Sequence, residues 1–156
     1  MTTHFNYWLT GIGRAEVFFT SDKQNVRFEI SYLSDPLADL FLGLCRLINN
    51  QSDSIRIVFA EEPGEHSLII SKLNKEKIKL EIFWNQEWED IREANKTQSK
   101  KELIYSDTDT LQNFALVICN GIDSLLERHS WTEYKVQWRL CEFPIEKYKQ
   151  LQQLLN

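Results

Sequence analysis

The sequence predicts an α+β fold: one mostly antiparallel sheet of five to seven strands with two or three helices packed on one face, a two-layer sandwich. Three observations carry this. Short runs of alternating apolar residues recur between turn residues, and longer segments carry apolar stripes at helical spacing. Strands also come in groups instead of alternating one for one with helices, which argues against a doubly wound parallel sheet. A chain of 156 residues reads as a single domain, residues 1–156. A domain of that size buries about 70% of the surface its unfolded form exposes.

Gly13 to Thr20 alternates with Ala15, Val17 and Phe19 on one side, and Val26 to Tyr32 with Val26, Phe28, Ile30 and Tyr32. The intervening Ser-Asp-Lys-Gln-Asn is turn chemistry, so the two runs predict an antiparallel hairpin. Phe5 to Thr10 extends it backwards across Gly11-Ile12-Gly13, where a bulge fits. Asp35 before Pro36 is an N-cap followed by proline at the first helical position. Leu37, Leu40, Phe41, Leu44 and Ile48 then form one stripe, with Asp39 and Arg46 opposite and facing water.

Ile55 to Ala60, Leu68 to Leu73 and Ile78 to Trp84 predict a meander, joined at Glu-Glu-Pro-Gly-Glu and Asn-Lys-Glu-Lys. Periodicity dissolves after Trp88, which marks residues 88–101 as a mobile loop, with a short strand at Glu102 to Tyr105. The Ser-Asp-Thr-Asp-Thr cluster caps a second helix from Asp109 or Thr110 to Arg128, striped by Leu111, Phe114, Ile118, Ile122, Leu125 and Leu126. Trp131 to Cys141 fits either helix or irregular chain. Phe143-Pro144 opens a last helix with Ile145, Tyr148, Leu151 and Leu155 inward.

A net charge of −5 argues against binding a phosphate backbone, and the locally basic Lys96 to Lys101 has no interleaved aromatic to stack a base. The expectation is therefore no nucleic-acid partner. No apolar run reaches the length of a membrane span, so no membrane partner is expected either. Cys45, Cys119 and Cys141 are odd in number and widely spaced, which predicts free thiols in a reducing cytoplasm and no zinc site. Gly11-Ile12-Gly13 lacks the third glycine and following helix of a dinucleotide fingerprint, and no nucleophile elbow is present. These readings imply no cofactor.

Ala60 to Ile70 places three glutamates and His66 around Pro63-Gly64. Glu62 and His66 are four apart, but that spacing converges ligands on a helix, and Pro-Gly forbids one here. A charged turn without a metal is expected.

At Ser31 to Phe41, at Glu61 to Glu65 and at Phe143-Pro144 before a leucine-rich terminal helix, the sequence resembles a family of small uncharacterised bacterial proteins. The resemblance implies a bacterial, single-domain protein and carries over no catalytic or binding residue.

Function is read from the sheet face opposite the apolar set. That face carries Arg14, Glu16, Phe18, Arg27, Glu29, Arg56, Val58, Ile69, Lys79, Glu81 and Phe83. One reading is a solvated face laced with ion pairs. A second is a docking surface with Phe18, Val58, Ile69 and Phe83 as its apolar centre, joined by Trp88 beyond the strand end. It predicts a non-enzymatic protein that binds another protein or self-associates as a homo-oligomer. A third is a small enzyme with Glu16, Glu29 or Glu81 as acid or base and Arg14, Arg27 or Arg56 holding an anionic substrate.

Overall fold

A computed structural model describes residues 1–86, 101–138 and 142–156. Its elements follow the order β1 (Thr2–Gly11), β2 (Arg14–Ser21), β3 (Asn25–Ser31), α1 (Pro36–Ile48), β4 (Ser54–Ala60), β5 (Glu65–Lys72), β6 (Lys77–Asn85), β7 (Lys101–Thr110), α2 (Leu111–Arg128), α3 (Trp131–Trp138) and α4 (Ile145–Leu155). The predicted α+β class is observed. The single sheet is not: the described strands form two antiparallel sheets, one of three strands in the order β1-β2-β3 and one of four in the order β4-β5-β6-β7.

The separation has a local cause. After β3 the chain turns into α1, and the ends of β3 and β4 are bridged by side chains where a backbone ladder would otherwise run. Ser31 Oγ donates to the Ala60 carbonyl at 3.4 Å, and Ser34 Oγ accepts from the Ala60 amide at 3.1 Å. The two sheets meet through the apolar side chains of their inner faces. Just before β3, the Gln24 side chain bonds the backbone of Ser106 on β7. Midway along β3, Phe28 stacks on His66 of β5 at 4.0 Å and meets Phe59 of β4 edge-on at 5.5 Å. Thus β3 crosses the four-stranded sheet from its β7 edge to its β4 edge.

Both hairpins of the three-stranded sheet keep the alternation that predicted them, with Ala15, Val17 and Phe19 facing Phe5, Tyr7, Leu9, Phe28 and Ile30 in the core. The Gly11-Ile12-Gly13 kink carries the irregularity expected of it, a register shift between Leu9 and Gly11. One correction concerns the segment before α2. Ser106 to Thr110, read as a capping cluster, belongs mostly to β7, and only Thr110 caps the helix, accepting from the Asn113 amide at 3.1 Å. Asp109 is buried there, held by the Thr2 amide and the Asn113 side chain, so its polarity is satisfied inside the strand.

Helices close the remaining flanks. Asp35 caps α1 as the sequence indicates. That helix packs so close to β4 that a side-chain carbon on Gly43 would run into Ile55. Asn113 ties α2 to the Thr2 carbonyl of β1 at 3.1 Å. Across α1 and α2 lies α4, where Tyr148 packs on Phe41 and places its hydroxyl 2.6 Å from Asp123 Oδ1. The segment of uncertain type is helical as far as Trp138, which packs on Tyr7. Every one of these elements contributes to one apolar core.

The contact between the two sheets yields a stability prediction. Replacing Phe28 with alanine removes the ring that touches both His66 and Phe59, and is expected to cost roughly 3–5 kcal/mol. Urea unfolding followed by tryptophan fluorescence measures it. A loss under about 1 kcal/mol would mean the sheets are held together elsewhere.

Candidate functional site

The outer face of the four-stranded sheet is where the expected site residues converge. Cross-strand register places Val58, Ser67, Phe83 and Leu103 in one row, with Arg56, Ile69, Glu81 and Ser106 in the next. Val58, Ile69 and Phe83 are therefore neighbours and all half-buried. Leu103 continues the apolar row to the sheet edge and is 49% exposed. Lys101 lies over the Phe83 ring at 4.5 Å, and Lys79 pairs with Glu81 at 3.5 Å. An apolar strip bordered by charge of both signs results.

Phe18 is not part of it. It sits on the outer face of the other sheet, between Asn6 and Arg27 in register, and the shared core separates it from Phe83. The four residues expected to form one centre are thus divided three and one. Trp88 and nearly all of the expected 88–101 loop lie outside the described residues.

The charged candidates of the three-stranded sheet neutralise one another. Arg14 meets Glu29 at 2.9 Å and Arg27 lies 3.9 Å from Glu16, with both arginines more than half exposed. Pairs of this kind are what a solvated sheet face carries, and each contributes little. Arg56 differs. It bonds Glu65 at 2.8 Å, and that carboxylate is only 2% exposed.

Glu65 belongs to a polar row that the sequence did not single out. Ala60, Glu65, Asn85 and Lys101 are aligned across the sheet, and Ser67 lies diagonally beside Asn85. Asn85 and Ser67 are fully buried, and neither the Asn85 amide nor the Ser67 hydroxyl has a hydrogen-bond partner among the described residues. Strand parity carried the signal, since Glu65, Ser67 and Ile69 alternate with His66, Leu68 and Ile70. Reading Glu65 and His66 as turn residues concealed it.

His66 is correspondingly a core residue. Its imidazole lies between Phe28 and Trp84, with ring centroids 4.0 and 4.7 Å away. Nδ1 is 3.7 Å from Glu61 Oε2, too far for a hydrogen bond. Burial pushes the imidazole down to about 4, so at neutral pH it is uncharged and the Glu61 contact is no ion pair. Glu61 is itself pushed up, mainly by burial, although Arg14 opposes this. Between them, Gly64 has φ +96°, and a side-chain carbon there would lie 2.6 Å from both the Asn85 carbonyl and the Trp84 ring. Only glycine fits the turn that brings His66 inward.

Among the described residues no three His, Cys, Asp or Glu side chains gather as metal ligands. Cys45 and Cys119 are free and buried, with the Cys119 thiol pushed up to about 11 by burial and by Asp123. Cys141 lies outside the described residues. Comparisons with family models, curated proteins and solved structures each give no match, so the chemistry rests on this geometry alone.

The buried imidazole fixes a pH dependence. Its folded value lies below the ordinary 6.5, so protonation favours the unfolded chain. The stability it protects is complete above pH 6.5 and is lost as pH falls towards 4. The contribution lost by pH 5 is about 2 kcal/mol. Urea midpoints between pH 7 and pH 4.5 test this by comparing wild type with His66→Phe, in which that part of the decline should vanish. Parallel curves for the two proteins would show that His66 titrates normally.

Proposed function

We propose that the chain is a non-enzymatic binding protein that receives another polypeptide on the outer face of its four-stranded sheet. The observation that carries this reading is the row Val58, Phe83 and Leu103, with Ile69 beside it, on a face whose other residues, Ala60 aside, are polar. On an alternating strand a fully solvated face is expected to be polar, whereas docking faces keep an apolar centre within a charged rim. Arg56, Lys79, Glu81 and Lys101 supply that rim. Completing the burial of a phenylalanine contributes up to about 1.5–3 kcal/mol, more than an exposed ion pair does, so Phe83 sets the affinity and the charges set the register.

An acid/base reading of the other sheet has less support. Glu16 and Glu29 are answered by Arg27 and Arg14 at its surface, which leaves neither arginine committed to a substrate. Among the described residues no helix is long and apolar enough to cross a membrane. The free, buried thiols suit a reducing compartment, in keeping with a cytoplasmic binding protein.

Site-specific photocrosslinking in cells tests the proposal. A benzoylphenylalanine at position 103 is expected to give a discrete adduct that disappears on Phe83→Glu, while the same probe at position 27 gives none. An adduct of twice the chain mass identifies a second copy as the occupant, and any other discrete mass a different protein. Diffuse labelling that Phe83→Glu leaves unchanged would overturn the proposal.

A further inference from the structure

Among the described residues no strand pairs with the outer edge of β4, which is bonded only at Ala60, by Ser31 and Ser34. The direction of each backbone group along that edge follows from four hydrogen bonds. Asp53 accepts from Lys72 and Glu61 donates to Gly64, so both turn towards β5. Ala60, of opposite parity, turns its amide to Ser34 and its carbonyl to Ser31, away from β5. Alternation then turns the backbone of Ser54, Arg56 and Val58 outward as well.

The other edges are closed in ways that β4 is not. Along β1 lies α2, and β1 also carries two register shifts. The pairing of β7 with β6 shifts register between Tyr105 and Leu103, and Thr2 and Gln24 bond β7. Short β3 is crossed over the sheet and pinned near both ends. By contrast β4 is regular over its whole register, with neither bulge nor proline.

A wall stands beside this edge. Ser34 contacts Ala60 and Gly43 contacts Ile55, so α1 runs antiparallel to β4 along its inner side. Between them lies a cleft of about 410 Å³ lined by Asp39, Leu42, Gly43 and Arg46 of α1 and by Ser54 to Ile57 of β4. Asp39, Leu42 and Arg46 fall on one helical stripe. Asp39 and Arg46 are exposed, and among the described residues neither forms an ion pair within 4 Å. Partial burial and the nearby Asp35 push the Asp39 carboxyl up, and Lys147 of α4 opposes this in part.

We propose that this cleft binds an extended segment of another polypeptide, added antiparallel to β4 and bearing a basic, an apolar and an acidic side chain at alternate positions. Its backbone pairs with Ser54 and Val58, the mode in which an exposed sheet edge recruits a strand. A strand antiparallel to β4 runs in the direction of α1, so it passes Asp39 first and Arg46 last. Those residues are roughly 10 Å apart along the helix. Side chains four apart on one strand face are separated by about 13 Å, a span that flexible lysine and glutamate side chains close, with the central position over Leu42. A second copy's β4 does not fit. Paired strands lie about 5 Å apart, which would force the two α1 helices far closer than the 8–10 Å that packed helices require.

The surface is distinct from the outer face around Phe83, so the two readings fail separately. The probe is a labelled peptide with the core Lys-Thr-Val-Thr-Glu, read by fluorescence anisotropy against full-length protein, beside the reversed core Glu-Thr-Val-Thr-Lys. Wild type is expected to prefer the first by about tenfold. The exchange Asp39→Arg with Arg46→Asp, at two exposed positions, should invert the preference, whereas Phe83→Glu should leave it unchanged. N-methylation of the peptide at its backbone-pairing residues should abolish binding. No binding of either peptide, equal binding of both, or a preference that survives the charge exchange would overturn the proposal.

Discussion

The stack of Phe28 on His66 is the contact on which the arrangement depends. It joins the middle of β3 to the middle of the four-stranded sheet, where no backbone ladder among the described residues links the two sheets. An imidazole can fill that position only while neutral, because a charged ring between Phe28 and Trp84 would forfeit its hydration without a hydrogen-bonded counter-ion. Glu61 at 3.7 Å is near enough to feel such a charge and too far to bond it. The core therefore contains a polar ring used as an aromatic surface.

That choice fixes the opposite side of the sheet. Side chains alternate along a strand, so holding His66 inward holds Glu65, Ser67 and Ile69 outward, and a slip of one residue would exchange the two sets. Gly64 enforces the same register from the turn, since the chain passes where Trp84 and the Asn85 carbonyl leave no room for a side chain. The buried Glu65–Arg56 pair and the apolar row at Val58 and Phe83 are thus outward consequences of an inward stack. Two faces of β5 are specified by one contact.

Much of the fold was legible because local signals agreed with one another. Asp35-Pro36 followed by a clean apolar stripe specifies α1, and alternation specifies β2, β3, β4 and β6 to within a residue, whereas β5 starts three residues before the expected Leu68. The division into two sheets was not legible. Whether β3 pairs with β4 depends on Ser31 and Ser34 reaching Ala60, which no periodicity encodes. For the same reason Phe18 and Phe83 looked equivalent: parity reports that a residue faces away from the core, not which sheet it belongs to. Asp107 and Asp109 misled differently, since aspartate in a cluster ordinarily signals a cap, and only the tertiary bond from the Thr2 amide makes Asp109 a buried strand residue.

The position of β4 explains why its side chains and its backbone can serve different partners. Its inward residues Ile57 and Phe59 belong to the core, and its outward residues Arg56 and Val58 lie half-buried on the opposite face. Ladder bonds to β5 use only alternate backbone groups, which leaves the others directed at the cleft beside α1. The close approach of α1 at Gly43 is what distinguishes this edge from a general aggregation template, because a helix standing over the edge strand obstructs a second copy of the same helix-and-strand unit. A lone extended segment has no helix to bring and is not obstructed. The packing that buries Ile55 beneath α1 therefore also selects the kind of chain the edge can accept.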